Sequence, residues 1–292
     1  MLSSLLLYLL TGLTVGATYG LTGLGFTIIY NTTSIINFAQ GEFVMLGGML
    51  AVALMAGLGW PLIPAILGAM AGTTLVGVLM HQLTIRPVRR AEALQYIIIT
   101  IGVSILIRGI AMLVFGKDTF ALPQFTGSAP LAFLGASVMP QNLWVLGVTA
   151  LLLLLMKLFF DRTIHGKAML ACSVDPKAAS LVGVSVRKMA VTSFALSAFV
   201  GAVGGVILAP ITLTSYDRGI MLGLKGFAAC IVGGLGNPFG AAAGGIALGV
   251  LESLGAGYIS SGYKDAFAFL ALLVLLFVKP SGLFGKAAIK RV

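Results

Sequence analysis

The sequence predicts an all-α integral membrane protein, a polytopic helix bundle of eight or nine transmembrane segments. Of the 292 residues, 59% are hydrophobic and 9% are charged, and the mean hydropathy is +1.09. A soluble domain carries about 25% charged residues, so a water-soluble fold of this composition has too few charges to cover its surface. Apolar runs long enough to cross a bilayer recur along the chain. The 39 glycines suit close packing of membrane helices.

The apolar runs place the predicted spans in order along the chain. The first begins within MLSSLLLYLL, which has no basic segment or cleavage site and is interpreted as a span, not a signal peptide. Lys225 interrupts the seventh run, so residues 219–257 form either two spans or a re-entrant hairpin. The predicted spans are 5–29, 38–57, 61–83, 95–115, 141–160, 189–211, 219–236, 239–257 and 265–279.

Basic residues predict the orientation of the chain. They concentrate in the loop around Arg86, Arg89 and Arg90, in residues 157–188, and in the tail from Lys279 onwards. The positive-inside rule places these three segments in the cytoplasm and the N-terminus outside. Because the basic residues lie in short loops next to the membrane, contact with anionic lipid explains them better than nucleic acid.

The sequence lacks the motifs of an enzyme or an ATPase. No GxxxxGK[ST] phosphate loop or HExxH motif occurs, and two cysteines and two histidines indicate neither disulfides nor a zinc site. The run GGLGNPFG at 233–240 has its third glycine misplaced for a dinucleotide fingerprint. The chain is therefore predicted to be no enzyme and to bind no cofactor or metal.

The loop at 161–188 contains a short predicted helix. Asp175 is a suitable N-cap, Pro176 fits the first helical position, and Gly183 is a suitable stop. Residues 176–182 are too short to span a membrane. The helix is either interfacial, or it docks into a groove on a cytoplasmic partner. Its apolar surface would be formed by Ala178, Ala179, Leu181 and Val182.

Polar residues near the second span allow two interpretations. In INFAQGEF, residues 36–43, Asn37 would be the N-cap of a helix beginning at the inner membrane boundary. Gln40 would then be at the third helical position, and Glu42 would be in the first turns, where the helix dipole favours a negative charge. Alternatively, these three residues belong to a gate on the cytoplasmic side of a transport pathway.

Other polar residues within the spans have similar alternatives. Glu252 either lines a pore or lies at the outer rim, Lys225 is predicted to be interfacial, and Arg108 is predicted to extend outward to the interface. Two glycine-interrupted segments, 37–48 and 233–245, could mark a transport path. Glycines at a spacing of four predict close helix packing, as at Gly12, Gly16 and Gly20, and from Gly240 to Gly249.

Several motifs resemble one transporter family. The run KAASLVG, 177–183, resembles the EAA---G pattern of ABC-importer permeases, with Lys177 where that pattern has Glu. The wider run at 166–184 is similar to the corresponding loop of LivH-type branched-chain amino acid permeases. Further similar runs follow in order: INFAQGEF at 36–43, RPVRR at 86–90, VGGLGNPFGAAAGG at 232–245, GYKDAFAF at 262–269 and KPSGLFG at 279–285.

The resemblance implies one permease domain over 1–292 in a bacterial-type cytoplasmic membrane. Its coupling loop at 161–188 would contact ATP-binding subunits, which hold the ATP and magnesium. The residues implied for coupling are Asp175, Pro176, Lys177, Ala178, Ala179, Leu181 and Gly183, although Lys177 removes any salt bridge that a Glu would make. A second related permease, or a second copy, would complete the pore, and a periplasmic or lipid-anchored binding protein would deliver substrate.

The implied substrates are branched-chain or similar hydrophobic amino acids, with urea or short amides as the alternative within the same group. An ion-coupled secondary transporter would need a carboxylate cluster near the middle of the membrane. Glu42 and Glu252 are the candidates for such a cluster, and both are predicted to lie away from the centre.

Overall fold

The computed structural model describes residues 2–88, 92–127, 129–133 and 136–285, so Arg89, Arg90, Lys286, Lys290 and Arg291 lie outside the described residues. Short π-helical turns, Ala53–Gly57 and His81–Ile85, extend α2 and α3. The α-helices are α1 (Leu2–Thr33), α2 (Gln40–Val52), α3 (Leu62–Met80), α4 (Ala93–Phe115), α5 (Pro140–Arg162), α6 (Ile164–Val174), α7 (Pro176–Leu181), α8 (Val186–Thr212), α9 (Arg218–Gly233), α10 (Pro238–Tyr258) and α11 (Lys264–Val278).

The predicted all-α membrane class is confirmed. Within the described ranges, eight helical stretches are long and apolar enough to span a membrane: Ser3–Thr33, Gln40–Gly57, Leu62–Ile85, Ala93–Phe115, Pro140–Arg162, Val186–Thr212, Pro238–Tyr258 and Ser261–Val278. The predicted seventh segment corresponds to α9, which has 16 residues and is not one of the eight. At 1.5 Å per residue, α9 is about 24 Å long, shorter than the hydrocarbon core of about 30 Å.

One small β-hairpin departs from the helical pattern. Strand β1 (Leu131–Phe133) pairs antiparallel with β2 (Ala136–Val138), and Leu131 is opposite Val138. Each strand has only three residues. Hydrophobic periodicity cannot predict strands of this length, so the hairpin could not be expected from the sequence.

The chain divides into two compact units, each assembled from separate stretches of sequence. Unit 1 comprises Met1–Thr27, Gln124–Ala150 and Leu224–Val292, and unit 2 comprises Ile28–Pro123 and Leu151–Gly223. The single permease domain over 1–292 stays a prediction.

In unit 1, α1 and α10 pack antiparallel through small residues. Gly12 faces Val250, Gly16 faces Ile246 and Gly20 faces Ala242. A Cβ atom on Gly16 would lie 2.7 Å from the carbonyl oxygen of Gly245, closer than real side chains approach. This is the packing that the four-residue spacing of glycines predicts.

In unit 2, α2 is enclosed by α3, α4 and α8. Helices α2 and α8 run parallel, because Gln40 at the start of α2 contacts Ser197 and Gly48 contacts Gly205 further along both helices. The buried core beside α2 includes Phe43, Met80 and Phe194. This enclosure determines how deeply the first residues of α2 are buried.

Candidate functional site

The segment before α2 makes a turn that differs from the predicted cap. Helix α2 begins at Gln40, and the residue at its N-cap position is Ala39, which provides no side-chain cap. The Ala39 N–H donates to Oδ1 of Asn37 at 3.1 Å, so Asn37 forms a local turn two residues before the N-cap. The prediction of Asn37 as the N-cap and Gln40 at the third position is therefore wrong by two residues.

Gln40 bonds across to α8 and not back to its own helix end. The Ser197 hydroxyl donates to Oε1 of Gln40 at 2.6 Å, and Nε2 of Gln40 donates to the Ser197 carbonyl oxygen at 3.3 Å. Both side chains are fully buried. The tertiary partner replaces the capping-box bond that the local sequence pattern predicts.

The start of α2 lies deep between its neighbours. Ser197 is eleven residues beyond the first residue of α8, about 16 Å along the helix axis. Thr100, seven residues into α4, accepts from the Phe38 N–H and donates to the Ile36 carbonyl oxygen. The neighbouring helices therefore extend well beyond this stretch, and its predicted position at the inner membrane boundary stays a prediction.

Glu42 is buried, and one of its two carboxylate oxygens accepts a hydrogen bond. The Ser104 hydroxyl donates to Oε1 at 2.8 Å, whereas Oε2 has no hydrogen-bond partner among the described residues. Nδ2 of Asn37 is likewise buried and without a partner there. An unpaired buried polar group costs about 1–3 kcal/mol, so two such groups at one chain break are unusual.

A second helix begins beside Glu42. After α8 ends at Thr212, the chain pairs Thr214 with Phe120 and starts α9 at Arg218. Gly41 packs against the Gly219–Gly223 turn, and Gly219 lies against the Glu42 carboxylate. Two helix N-termini thus meet inside unit 2, and both dipoles favour negative charge there. The predicted break at 37–48 is present, and the 213–217 segment is a second break beside it. The predicted segment 233–245 contains the break between α9 and α10, and its role in a transport path stays a prediction.

Glu252 belongs to a separate charged cluster in unit 1. It is fully buried, and its carboxylate accepts from Lys225 and from the Tyr19 hydroxyl, both at 3.0 Å. Lys264 adds an ion pair at 3.2 Å, and Lys225 also pairs with Asp265. Lys225 is buried within the fold, where Glu252 and Asp265 balance its charge, and its predicted interfacial position stays a prediction.

The short helix predicted at 176–182 is present as α7, and its coupling role stays a prediction. Oδ1 of Asp175 accepts from the N–H groups of Lys177 and Ala178 at 2.8 and 3.1 Å, and Pro176 is at the first helical position. Gly183 has a φ of +89°, which favours glycine after the helix. Ala179 is buried, whereas Leu181 and Val182 are 88% and 79% exposed. The described part of the loop therefore presents an apolar tip that this chain does not cover.

Residues 8–278 match a family model described as branched-chain amino acid transport system / permease component. The chain belongs to this family. It is a multi-pass permease component of a branched-chain amino acid ABC transport system and not an enzyme. The resemblance to LivH-type permeases seen in the motifs is confirmed over nearly the whole chain.

Similar proteins include permeases of several systems. The high-affinity branched-chain amino acid transport system permease protein LivH of Escherichia coli (strain K12) is 33% identical, covering 96% of this chain and 96% of LivH. BraD of Pseudomonas aeruginosa, described in the same words, is 31% identical, with 97% of each chain covered. The fructose import permease protein FrcC of Rhizobium meliloti is 23% identical, covering 90% of this chain and 74% of FrcC.

A solved structure shares the permease fold. PsaBC from Streptococcus pneumoniae in complex with Fab aligns with a TM-score of 0.51 at 18% identity, covering 94% of this chain and 92% of that chain. At this identity the likeness shows the fold alone.

Sequence reasoning about this permease missed the partners of its buried polar residues. Ser104 and Ser197 bind Glu42 and Gln40, but isolated hydroxyls inside apolar runs give no local signal of such pairing. The pairing of Lys225 with Glu252 could have been predicted from the sequence. Opposite charges within apolar segments are expected to pair, because each is costly alone in a membrane.

Proposed function

We propose that this permease forms one half of the pathway by which a branched-chain amino acid crosses the membrane. ATP hydrolysis with magnesium on separate ATP-binding subunits would drive transport, and this chain would bind no cofactor itself. A second related permease, or a second copy of this chain, would supply the other half of the pathway. A periplasmic or lipid-anchored binding protein would deliver the amino acid. Membership of the permease family supports this division of labour.

The observation that carries the proposal is the exposed tip of α7. A two-turn helix with an ordered cap and strongly exposed Leu181 and Val182 suits insertion into a groove on another protein. In the proposal that groove belongs to an ATP-binding subunit. Asp175, Pro176 and Gly183 keep the helix formed, Lys177 and Ala178 lie in its first turn, and Ala179 anchors it.

The proposed pathway in unit 2 passes the start of α2. Buried polar groups without partners are retained in membrane proteins where they serve transport. Asn37 and Glu42 have such groups, and Gln40 fixes the helix start through Ser197. Interrupted helices whose ends meet at one point are a recurrent feature of binding sites in transporters.

The proposed orientation has the N-terminus outside and the tip of α7 in the cytoplasm. Its support is the concentration of basic residues in the segments that contain Arg86, α6–α7 and Lys279. This orientation puts α7 on the side of the membrane where ATP is available.

An Ala178→Asp variant tests the coupling proposal. It adds a charge to the exposed first turn of α7 without changing the cap, so we expect normal membrane insertion and loss of co-purified ATP-binding subunit. Ser173→Asp, an equal charge on exposed α6, is the matched control and should retain the subunit. Normal co-purification with Ala178→Asp would overturn the assignment of α7.

A further inference from the structure

Unit 1 contains a groove that the pathway proposed for unit 2 does not use. It has a volume of about 420 Å³ and lies between α1 and α10, with Lys264 of α11 at its edge. Leu7, Val15 and Ala256 contribute apolar surface. Glu252 and Lys264 contribute opposite charges to the same lining. The groove is therefore amphipathic, and its size suits a small organic molecule.

The two charged residues differ in how firmly they are held. Glu252 is fully buried and remains bonded to Lys225 and Tyr19 when Lys264 is disregarded. The Lys264 side chain is 48% exposed, and it forms a 3.2 Å ion pair with Glu252. Lys264 can therefore turn aside without leaving Glu252 unpaired.

The charges of the cluster favour a ligand without net charge. Lys225 and Lys264 balance Glu252 and Asp265, so an added cation or anion would leave an unbalanced charge beside the fully buried Glu252. A zwitterion adds one charge of each sign. Its ammonium group can bind Glu252 while its carboxylate binds the displaced Lys264, which replaces one ion pair with two.

We propose that this groove binds a free α-amino acid with an uncharged aliphatic side chain. The ammonium group would contact Glu252, the carboxylate would contact Lys264, and the side chain would lie against Leu7 and Val15. The ligand class rests on the proposed function, but the site is independent of the chain break at Glu42. Glu252 and Lys264 are the groups that determine specificity for the zwitterion.

The test measures equilibrium binding of radiolabelled leucine to the purified transporter complex in nanodiscs, without the binding protein. We expect saturable binding that leucinamide and 4-methylpentanoate compete for at least tenfold more weakly than leucine. Each competitor lacks one of the two charges. Equal competition by either compound would overturn the zwitterion assignment.

Variants locate the site within the complex. Lys264→Met should weaken leucine binding at least tenfold, and Glu252→Gln should do the same where it folds. Lys264 is half exposed, so its variant retains the fold and keeps the test decisive. Lys117→Met removes another exposed lysine and should leave binding unchanged.

Unaltered binding in Lys264→Met, or no leucine binding at all, would overturn the site. If the same preparation still transports leucine with its binding protein, the proposed function stands and only the groove assignment fails. Failure of transport in the native complex would instead count against the proposed function.

Discussion

Glu42 has one carboxylate oxygen bonded to Ser104 and the other buried without a partner among the described residues. A residue that served only as a helix entry would be expected to bond its own first turn, which Glu42 does not do in the structure. Its position against Gly219 instead puts the free oxygen at the start of α9. The contacts therefore favour the pathway interpretation over the capping one.

The Glu42→Gln variant removes the negative charge of this side chain and keeps its size and shape. The amide oxygen can still accept from Ser104, so the protein level should stay near that of the native chain. Transport per molecule should fall about tenfold or more, because acidic residues inside membrane spans usually serve function. Leucine uptake normalised to membrane-inserted protein measures this effect. Glu92→Gln, on an exposed residue, is the control, and equal uptake by the two variants would contradict the pathway role.

Lys225 makes the cluster in unit 1 sensitive to single substitutions. Lys225→Met leaves buried Glu252 with Lys264 and Tyr19 as its remaining donors, and breaking a buried ion pair costs about 3–5 kcal/mol. We expect the unfolding midpoint in detergent to fall by roughly 5 °C or more. Lys225→Met with Glu252→Met should recover part of the loss. A double variant no more stable than the single one would contradict the pairing argument.

The start of α2 depends on the absence of a side chain at Gly41. A Cβ atom there would overlap the carbonyl oxygen of Gly219 and lie 2.6 Å from the Gly223 nitrogen, both backbone atoms of α9. Gly41→Ala should therefore separate the two helix starts and strongly reduce folded protein, measured by size-exclusion chromatography. Gly57→Ala has open space at its Cβ and should behave as the native chain. A normal elution profile for Gly41→Ala would rule out this close contact.

Helices whose ends are determined by neighbouring residues in the sequence could be predicted. Helix α7 begins where Asp175 and Pro176 predict, because both the cap and the first turn depend on neighbouring residues. The start of α2 could not be located, because Gln40 and Phe38 bond to residues far along the chain. The gap between the predicted spans 189–211 and 219–236 corresponds to the break before α9, but the long-range pairing inside that break could not be predicted. Thr214 pairs with Phe120, and neither sequence neighbourhood predicts the other.

At the scale of the whole molecule, the predicted orientation depends on how the chain passes the membrane between α8 and α10. The basic segments around α7 and Lys279 can lie on one side only if an even number of crossings separates them. Helices α8, α10 and α11 provide three, so α9 must complete a fourth. Residues 213–217 precede α9, which is about 24 Å long, and include a turn at Tyr216 and Asp217, so they lengthen the crossing only in part. Thr214 and Ser215 are buried, as non-helical backbone inside a membrane requires.

Single cysteines introduced at exposed sites test this fourth crossing in intact cells. Both natural cysteines are buried and should give little background labelling. A membrane-impermeant maleimide should label Leu58→Cys and Ser261→Cys directly, and should label Val182→Cys and Pro280→Cys only after permeabilisation. Leu58 and Val182 are separated by α3, α4 and α5, so they check the orientation independently of α9. Direct labelling at 280 with protection at 261 would mean that α9 does not cross, and the C-terminal basic tail would then lie outside.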